Sequence, residues 1–408
     1  MIYLFIISLL ILFIYIYDYK GALENRLECY FLCLIFFILI GGLRYRLGTD
    51  TVVYQENFKY APTLSELFSS RYIAQDDSYG YLLLSSIIKS TCDSFIILQL
   101  IQSIFVNCVI FYFIKKYTRH IFIALLLYFF LNYFYFIFEI MREAIAVCFF
   151  LIGWNYYIEK KLIPYYFFII IALTFHISAS ICLFIPLFSL PFIRNLFKFN
   201  KFFWIFCIFL FCIGNYVFSK FFDIINLIEI SSIQDASNVY SQSSHYGSGK
   251  KNGIFTYVAI ILVKILYPYI AFYLVKNKVI KKKPTWLNDR ILEGFEMGIC
   301  IYIYFSIASL FIYILHRFTN YFFIFALVTI SEVFFSKFQE KKKRLSLSIS
   351  FWIIFFIPLV FPTINGYLKY DEKLSIRQIR AYYPYDSILS PNIDNERENY
   401  YKLIGKFR

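Results

Sequence analysis

The chain has 408 residues, is 60% hydrophobic with a mean hydropathy of +0.65, and carries a formal net charge of +14. That composition excludes a soluble globular domain, and because the positive charge sits in short loops between apolar runs, it does not argue for a nucleic-acid partner. The nine cysteines show no disulfide framework or zinc spacing, and the four scattered histidines lack a paired acidic motif, so no metal and no other cofactor is expected.

A helix crosses a bilayer in about 20 apolar residues. In chain order the apolar runs are 1–18, 27–43, 94–114, 121–138, 139–158, 162–176, 177–193, 202–218, 253–275, 291–315, 318–335 and 346–363. They predict an all-α, polytopic membrane protein with about twelve crossings. Residues 1–17 lack a basic leader and a small-residue cleavage site, so they are expected to stay as the first helix. The run 121–158 is too long for one crossing and must fold back near Asn132 or near Glu139. The run 162–193 must also turn, and His176 to Ser180 is its only polar interruption.

The basic clusters are Lys20/Arg26, Lys115/Lys116/Arg119, Lys160/Lys161, Arg194/Lys198/Lys201, Lys276 to Lys283 with Arg290, and Lys337 to Arg344. With these twelve crossings all six fall on one side, which the charge bias assigns to the cytoplasm. The expected organisation is a single transmembrane domain over 1–364, with outer loops 44–93 and 219–252 and an external tail 365–408. The tail mixes charge with Tyr382, Tyr383, Pro384 and Tyr385, and it either folds across the outer face or hangs free.

Isolated ionisable residues remain for the outer face. Arg44-Tyr45-Arg46 leads into Gly48-Thr49-Asp50 and Tyr54, with Ser78-Tyr79-Gly80-Tyr81 beyond. Two arginine forks near a glycine turn suit phosphate oxygens, although arginines and tyrosines also serve as interfacial anchors. Glu139 and Glu143 stand at i and i+4 beside Arg142, which predicts one helical face carrying either a structural ion pair or a cavity-facing cation. His176 lies where a long run turns and is expected to act as a general base, against the plainer reading of a core histidine. Arg317 and Tyr321 fall near a further outer turn, and Lys264 sits in mid-span, where a lysine either has a function or snorkels into water. Arg44, Arg142 and Arg317 are expected to converge on one outward cavity.

Taken in order, Arg44–Tyr45, Gly48-Thr49-Asp50, Tyr54, Gly80–Tyr81, Arg142 with Ala144 and Ala146, Phe175-His176-Ile177-Ser178-Ala179, Arg317 with Tyr321–Phe322, and Pro384–Tyr385 resemble the EpsG family of polysaccharide polymerases, related to the Wzy-type O-antigen polymerases. Glu143 departs from the pattern, because similar proteins often carry Gln there. The resemblance implies a bacterial plasma-membrane glycosyltransferase of GT-C-like architecture that joins undecaprenyl-diphosphate-linked oligosaccharide repeats without a metal. Combined with the residue reading above, it points to catalysis by His176, Asp50 and Arg142 and to substrate binding by Arg44, Tyr54, Arg317 and Tyr321, while Arg46, Glu139 and Lys264 are substrate-binding candidates from the residue reading alone. A chain-length regulator and a separate flippase are the protein partners it implies. The alternatives are a flippase for the same lipid-linked sugars and a membrane acyltransferase that decorates a glycan.

Overall fold

The computed structural model describes residues 2–68, 78–226, 261–277, 288–336, 360, 368, 370–371 and 376–403. The protein divides into two compact units, Met1–Ser180 with Leu345–Arg408, and Ile181–Arg344. Among the described residues it is helical, apart from a short antiparallel pairing of Tyr370–Asp371 with Ile376–Arg377 and isolated bridges at Ser387.

The first unit begins with α1 (Ile2–Phe13), which runs on as a π-helical turn to Tyr19, followed by α2 (Arg26–Gly42). Next come α3 (Thr49–Lys59), α4 (Leu64–Leu67) and α5 (Tyr79–Thr91), so the expected outer loop 44–93 is itself largely helical. After α6 (Phe95–Tyr117), the chain forms α7 (Ile121–Tyr128), two π-helical turns (Phe129–Tyr133 and Tyr135–Glu139), α8 (Met141–Ile158) and α9 (Leu162–Phe175). The long apolar run therefore breaks at Ile140 (φ −99°, ψ 52°), next to Glu139 and not at Asn132. This corrects one expectation. Glu139 ends one helical segment while Glu143 opens another, so they do not share a continuous helical face.

The second unit contains α10 (from Ser180 to Leu183), α11 (Ile185–Phe188), α12 (Lys201–Asn226), a π-helical turn at Ile261–Leu266, α13 (Tyr267–Lys276), α14 (Asp289–Ala308) and α15 (His316–Ser336). The expected crossing at 177–193 is thus a string of short helical pieces. Pro186 starts α11, and its missing N–H prevents a continuous ladder from α10. α12 also continues past the expected span end at 218. The expected crossing at 346–363 (Val360 apart), the first residues of 253–275 and the loop residues 227–252 lie outside the described residues. The tail, which belongs to the first unit, ends in α16 (Asn395–Leu403).

Among the described residues, four helices are long and apolar enough to cross a membrane: Ile2–Tyr19, Phe95–Tyr117, Asp289–Ala308 and His316–Phe334. Shorter apolar helices lie at Ile121–Tyr133, Leu162–Phe175, Ile177–Phe188 and Lys201–Gly214. Their outward faces are oily: Leu4, Phe5 and Ile11 on α1, Ile163, Phe167 and Ile170 on α9, and Ile205 and Ile208 on α12 are all exposed. Aliphatic surface on this scale is stable against lipid tails and not against water.

Within the first unit, α2 packs along α6 and α8 along α9. One end of the unit gathers basic loops. Asp18 accepts from the Ile123 N–H at 2.8 Å and pairs with Arg26 at 3.4 Å, while Lys116 donates to Asn155 at 2.6 Å. Burial beside Arg119 and Arg26 pushes the His120 imidazole there down to about 3, so it is neutral at physiological pH. The other end joins the segments from Arg44, Ser78, Glu139 and His176 with the tail.

Candidate functional site

Gly48 starts the arrangement at that second end. It adopts φ +97°, and a Cβ there would lie 2.6 Å from the Phe138 carbonyl oxygen, so only glycine fits. The turn aims the N-terminus of α3 at Glu139, which is 6% exposed. The Glu139 carboxylate accepts from the Thr49 N–H at 2.8 Å, the Asp50 N–H at 3.0 Å, the Thr49 hydroxyl and the Tyr382 hydroxyl. A helix leaves its first N–H groups without internal partners and favours negative charge beside them. Glu139 is therefore an anchor that joins α3, the π-helical turn and the tail. Its acceptor capacity is already filled, which argues against the expected substrate contact.

Two of the arginines expected to bind substrate, Arg46 and Arg44, are also held by protein groups. Arg46 forms a two-point ion pair with Glu398 (Nε–Oε1 2.6 Å, Nη2–Oε2 2.8 Å), and those bonds push its pKa further up. Arg44 is 1% exposed. Its guanidinium donates to the Gly41 carbonyl, approaches the Thr51 hydroxyl at 3.4 Å and the Met141 sulfur at 3.5 Å, and lies over the Phe138 ring at 4.9 Å. Burial lowers its pKa to about 10, which still leaves it charged at neutral pH. Arg44 holds the end of α2 against the start of α8.

A second set of residues comes together on the other side of α3. Arg142, on the first turn of α8, donates to the Ser78 hydroxyl at 2.9 Å and lies over the Tyr54 ring at 5.8 Å. Tyr54 packs on Tyr81 with ring centroids 5.6 Å apart. Burial pushes the Tyr54 phenol up to about 12, with Arg142 opposing the shift and Asp50 adding to it, so both charges reach the same ring. Gly80 lets α5 approach the end of α9, where a Cβ would meet the Phe175 ring at 3.0 Å. His176 follows immediately, with Nε2 3.9 Å from the buried Glu143 carboxylate.

The His176 geometry carries a chemical consequence. Its Nδ1 lies 2.5 Å from the Ser178 hydroxyl and accepts the Ser178 backbone N–H at 3.2 Å. In a neutral imidazole one nitrogen accepts and the other carries the proton. The proton is then on Nε2, facing Glu143, so the neutral ring is a donor there. This disfavours the expected general-base role.

Four expected site residues therefore meet at one end of the first unit: Asp50, Tyr54, Arg142 and His176. Glu143, Ser78 and Tyr81 complete the group. Arg317 and Tyr321 lie on the first turns of α15 in the second unit, and Tyr321 is fully buried. Lys264 lies in the π-helical turn of that same unit. Among the described residues no group of three or more metal-ligating side chains occurs.

Sequence reasoning missed the tail's part in this end of the unit. Tyr45 N–H donates to the Asp386 carbonyl and Gly48 N–H to the Ala381 carbonyl, both at 2.8 Å, and buried Arg397 pairs with Asp386 at 2.7 Å. The two backbone partnerships join residues more than 300 positions apart, so no local pattern signals them. Only the charged, aromatic composition of the tail hinted that it would dock.

The EpsG family model matches residues 27–385. No curated protein and no solved structure matches the chain. The matched span takes in Asp50, Tyr54, Arg142 and His176 and most of the chain on which the helices were described. The chain is a membrane protein that belongs to the EpsG family, a family of polysaccharide polymerases.

Proposed function

We propose that the protein joins undecaprenyl-diphosphate-linked oligosaccharide repeats on the outer side of the bacterial plasma membrane, which it crosses about twelve times. The observation that carries this reading is Arg142, a cation held at the end of the unit opposite the basic loops, beside Asp50, Tyr54 and the His176 donor. A hydroxyl of one lipid-linked repeat attacks the anomeric carbon of the growing chain, and the carbon–oxygen bond to undecaprenyl diphosphate breaks. Negative charge develops on the leaving diphosphate, where the Arg142 fork and the His176 Nε2–H supply donors. Asp50 is the carboxylate assigned to take the hydroxyl proton.

The donor role of His176 predicts a graded result. His176→Gln keeps an N–H near the Nε2 position and is expected to retain activity within ~10-fold, whereas His176→Phe is expected to lose ~10²-fold or more. Chain growth measured on membranes with matched protein levels distinguishes them. Equal, near-complete loss in both variants would restore the base reading.

In cells, loss of the protein is expected to leave single repeat units on the surface glycan in place of a ladder of long chains. Loss of the single-repeat product as well would indicate a flippase. Unchanged chain length with altered decoration would indicate an acyltransferase.

A further inference from the structure

α3 has two occupied sides. Tyr54, Asn57, Phe58 and Ala61 line a small cavity of about 30 Å³ against Arg142. Thr51 and Gln55, one turn apart, line a larger cavity of about 340 Å³ with the start of α6 and the tail at Ile388 and Pro391. This volume lies within the range of about 300–1,000 Å³ usual for small-molecule sites.

The lining of the larger cavity differs from that of a phosphate site. Arg46 is closed on Glu398, and Arg44 is packed on Gly41, Met141 and Phe138. Asp93, the cavity's carboxylate, pairs with Lys89 at 3.0 Å. What remains is uncharged. Gln99 is 2% exposed, and its amide nitrogen donates to the Gly42 and Arg44 carbonyls at 2.9 and 3.0 Å, which leaves its side-chain oxygen without a described protein donor. Ser94 caps α6 without a side-chain capping bond. Gln55 offers an amide, and Tyr45 and Phe95 offer ring faces. An amide oxygen that no protein donor occupies can accept from a ligand hydroxyl. Amides, a hydroxyl and aromatic faces around such a cavity match a ring that carries hydroxyls on its edge and C–H groups on its face.

We propose that this cavity binds a neutral sugar ring of the lipid-linked repeat, on the face of α3 adjacent to the one that meets Arg142. The inference rests on the polymerase reading for the origin of the sugar and not for the pocket itself. The two bound groups of one substrate, or of the two substrates, would then lie on adjacent faces of one helix.

The test uses the full chain in lipid nanodiscs. Neutral methyl hexopyranosides, the matching methyl uronosides and inorganic phosphate are probed by saturation-transfer NMR. At least one neutral glycoside is expected to bind. Gln55→Trp, which fills the cavity from a helix position with no described side-chain hydrogen bond, is expected to weaken it by at least ~10-fold, the loss of about 1.4 kcal/mol. Asp93→Asn, which removes the carboxylate while suiting the left-handed backbone at that residue (φ 40°), is expected to leave neutral-glycoside binding within ~2-fold. An unchanged thermal midpoint shows that each variant is folded. No neutral glycoside binding, binding unaffected by Gln55→Trp, or competition by phosphate would overturn the pocket. Failure of the polymerase reading shows separately, as absent chain growth by a protein that still binds the sugar.

Discussion

Replacing Arg142 by lysine is expected to slow polymerisation by ~10²-fold or more while leaving the protein inserted and folded. Both side chains are cations of similar length, so membrane insertion and the charge balance of α8 should change little. Lysine, however, presents a strongly hydrated point charge, whereas arginine presents a planar fork that can hold two phosphate oxygens at once. In the present geometry one Nη atom is held by Ser78 and the guanidinium rests over the Tyr54 ring. A lysine could replace the contact with Ser78 but not a simultaneous two-point grip on a ligand. Initial rates of chain growth, with protein amount fixed by immunoblot, check this. Activity within about threefold of wild type would mean that Arg142 does not grip the leaving group.

The second large effect concerns stability. Glu139→Ala is expected to destabilise the first unit by about 3–5 kcal/mol, because it strips a buried acceptor from the N-terminus of α3 and from Tyr382. Glu139→Gln keeps one acceptor oxygen but loses the charge, and should fall between the two. Thermal midpoints in detergent should follow the order wild type, Gln, Ala. Tyr382→Phe removes one of the four bonds and should cost about 1 kcal/mol. If Glu139→Ala unfolds no earlier than wild type yet abolishes activity, Glu139 is a substrate contact after all.

Much of the fold was legible because apolar runs of near-bilayer length are strong signals, and most of the expected helices from α1 to α9 fall where those runs lie. The fold-back beside Glu139 was one of the two places that chain length allowed. Its geometry was not legible, since nothing in the Phe- and Tyr-rich residues around it specifies two π-helical turns. The short pieces at 180–188 show the opposite failure: hydropathy reported a span, while Pro186 decided the local structure.

At the site, residue type identified the participants better than their partners. Arg142, Tyr54, Asp50 and His176 come together from three segments, α3, the start of α8 and the end of α9. Arg46 and Glu139 carried the same outward signal but are taken up by Glu398, the α3 N-terminus and Tyr382. The deciding partners sit in the tail, far away in sequence. Likewise the His176 tautomer depends on a backbone N–H two residues on, a contact that depends on the 3₁₀ turn at Ile177–Ala179.

The most direct measurement reconstitutes the purified, full-length protein with lipid-linked repeats alone, in the presence of a chelator and without any nucleotide sugar. The repeats are expected to be joined into longer chains, with undecaprenyl diphosphate released in step with each new linkage. Folded protein that forms no chains under these conditions, or that forms them only when a nucleotide sugar is added, would contradict this mechanism.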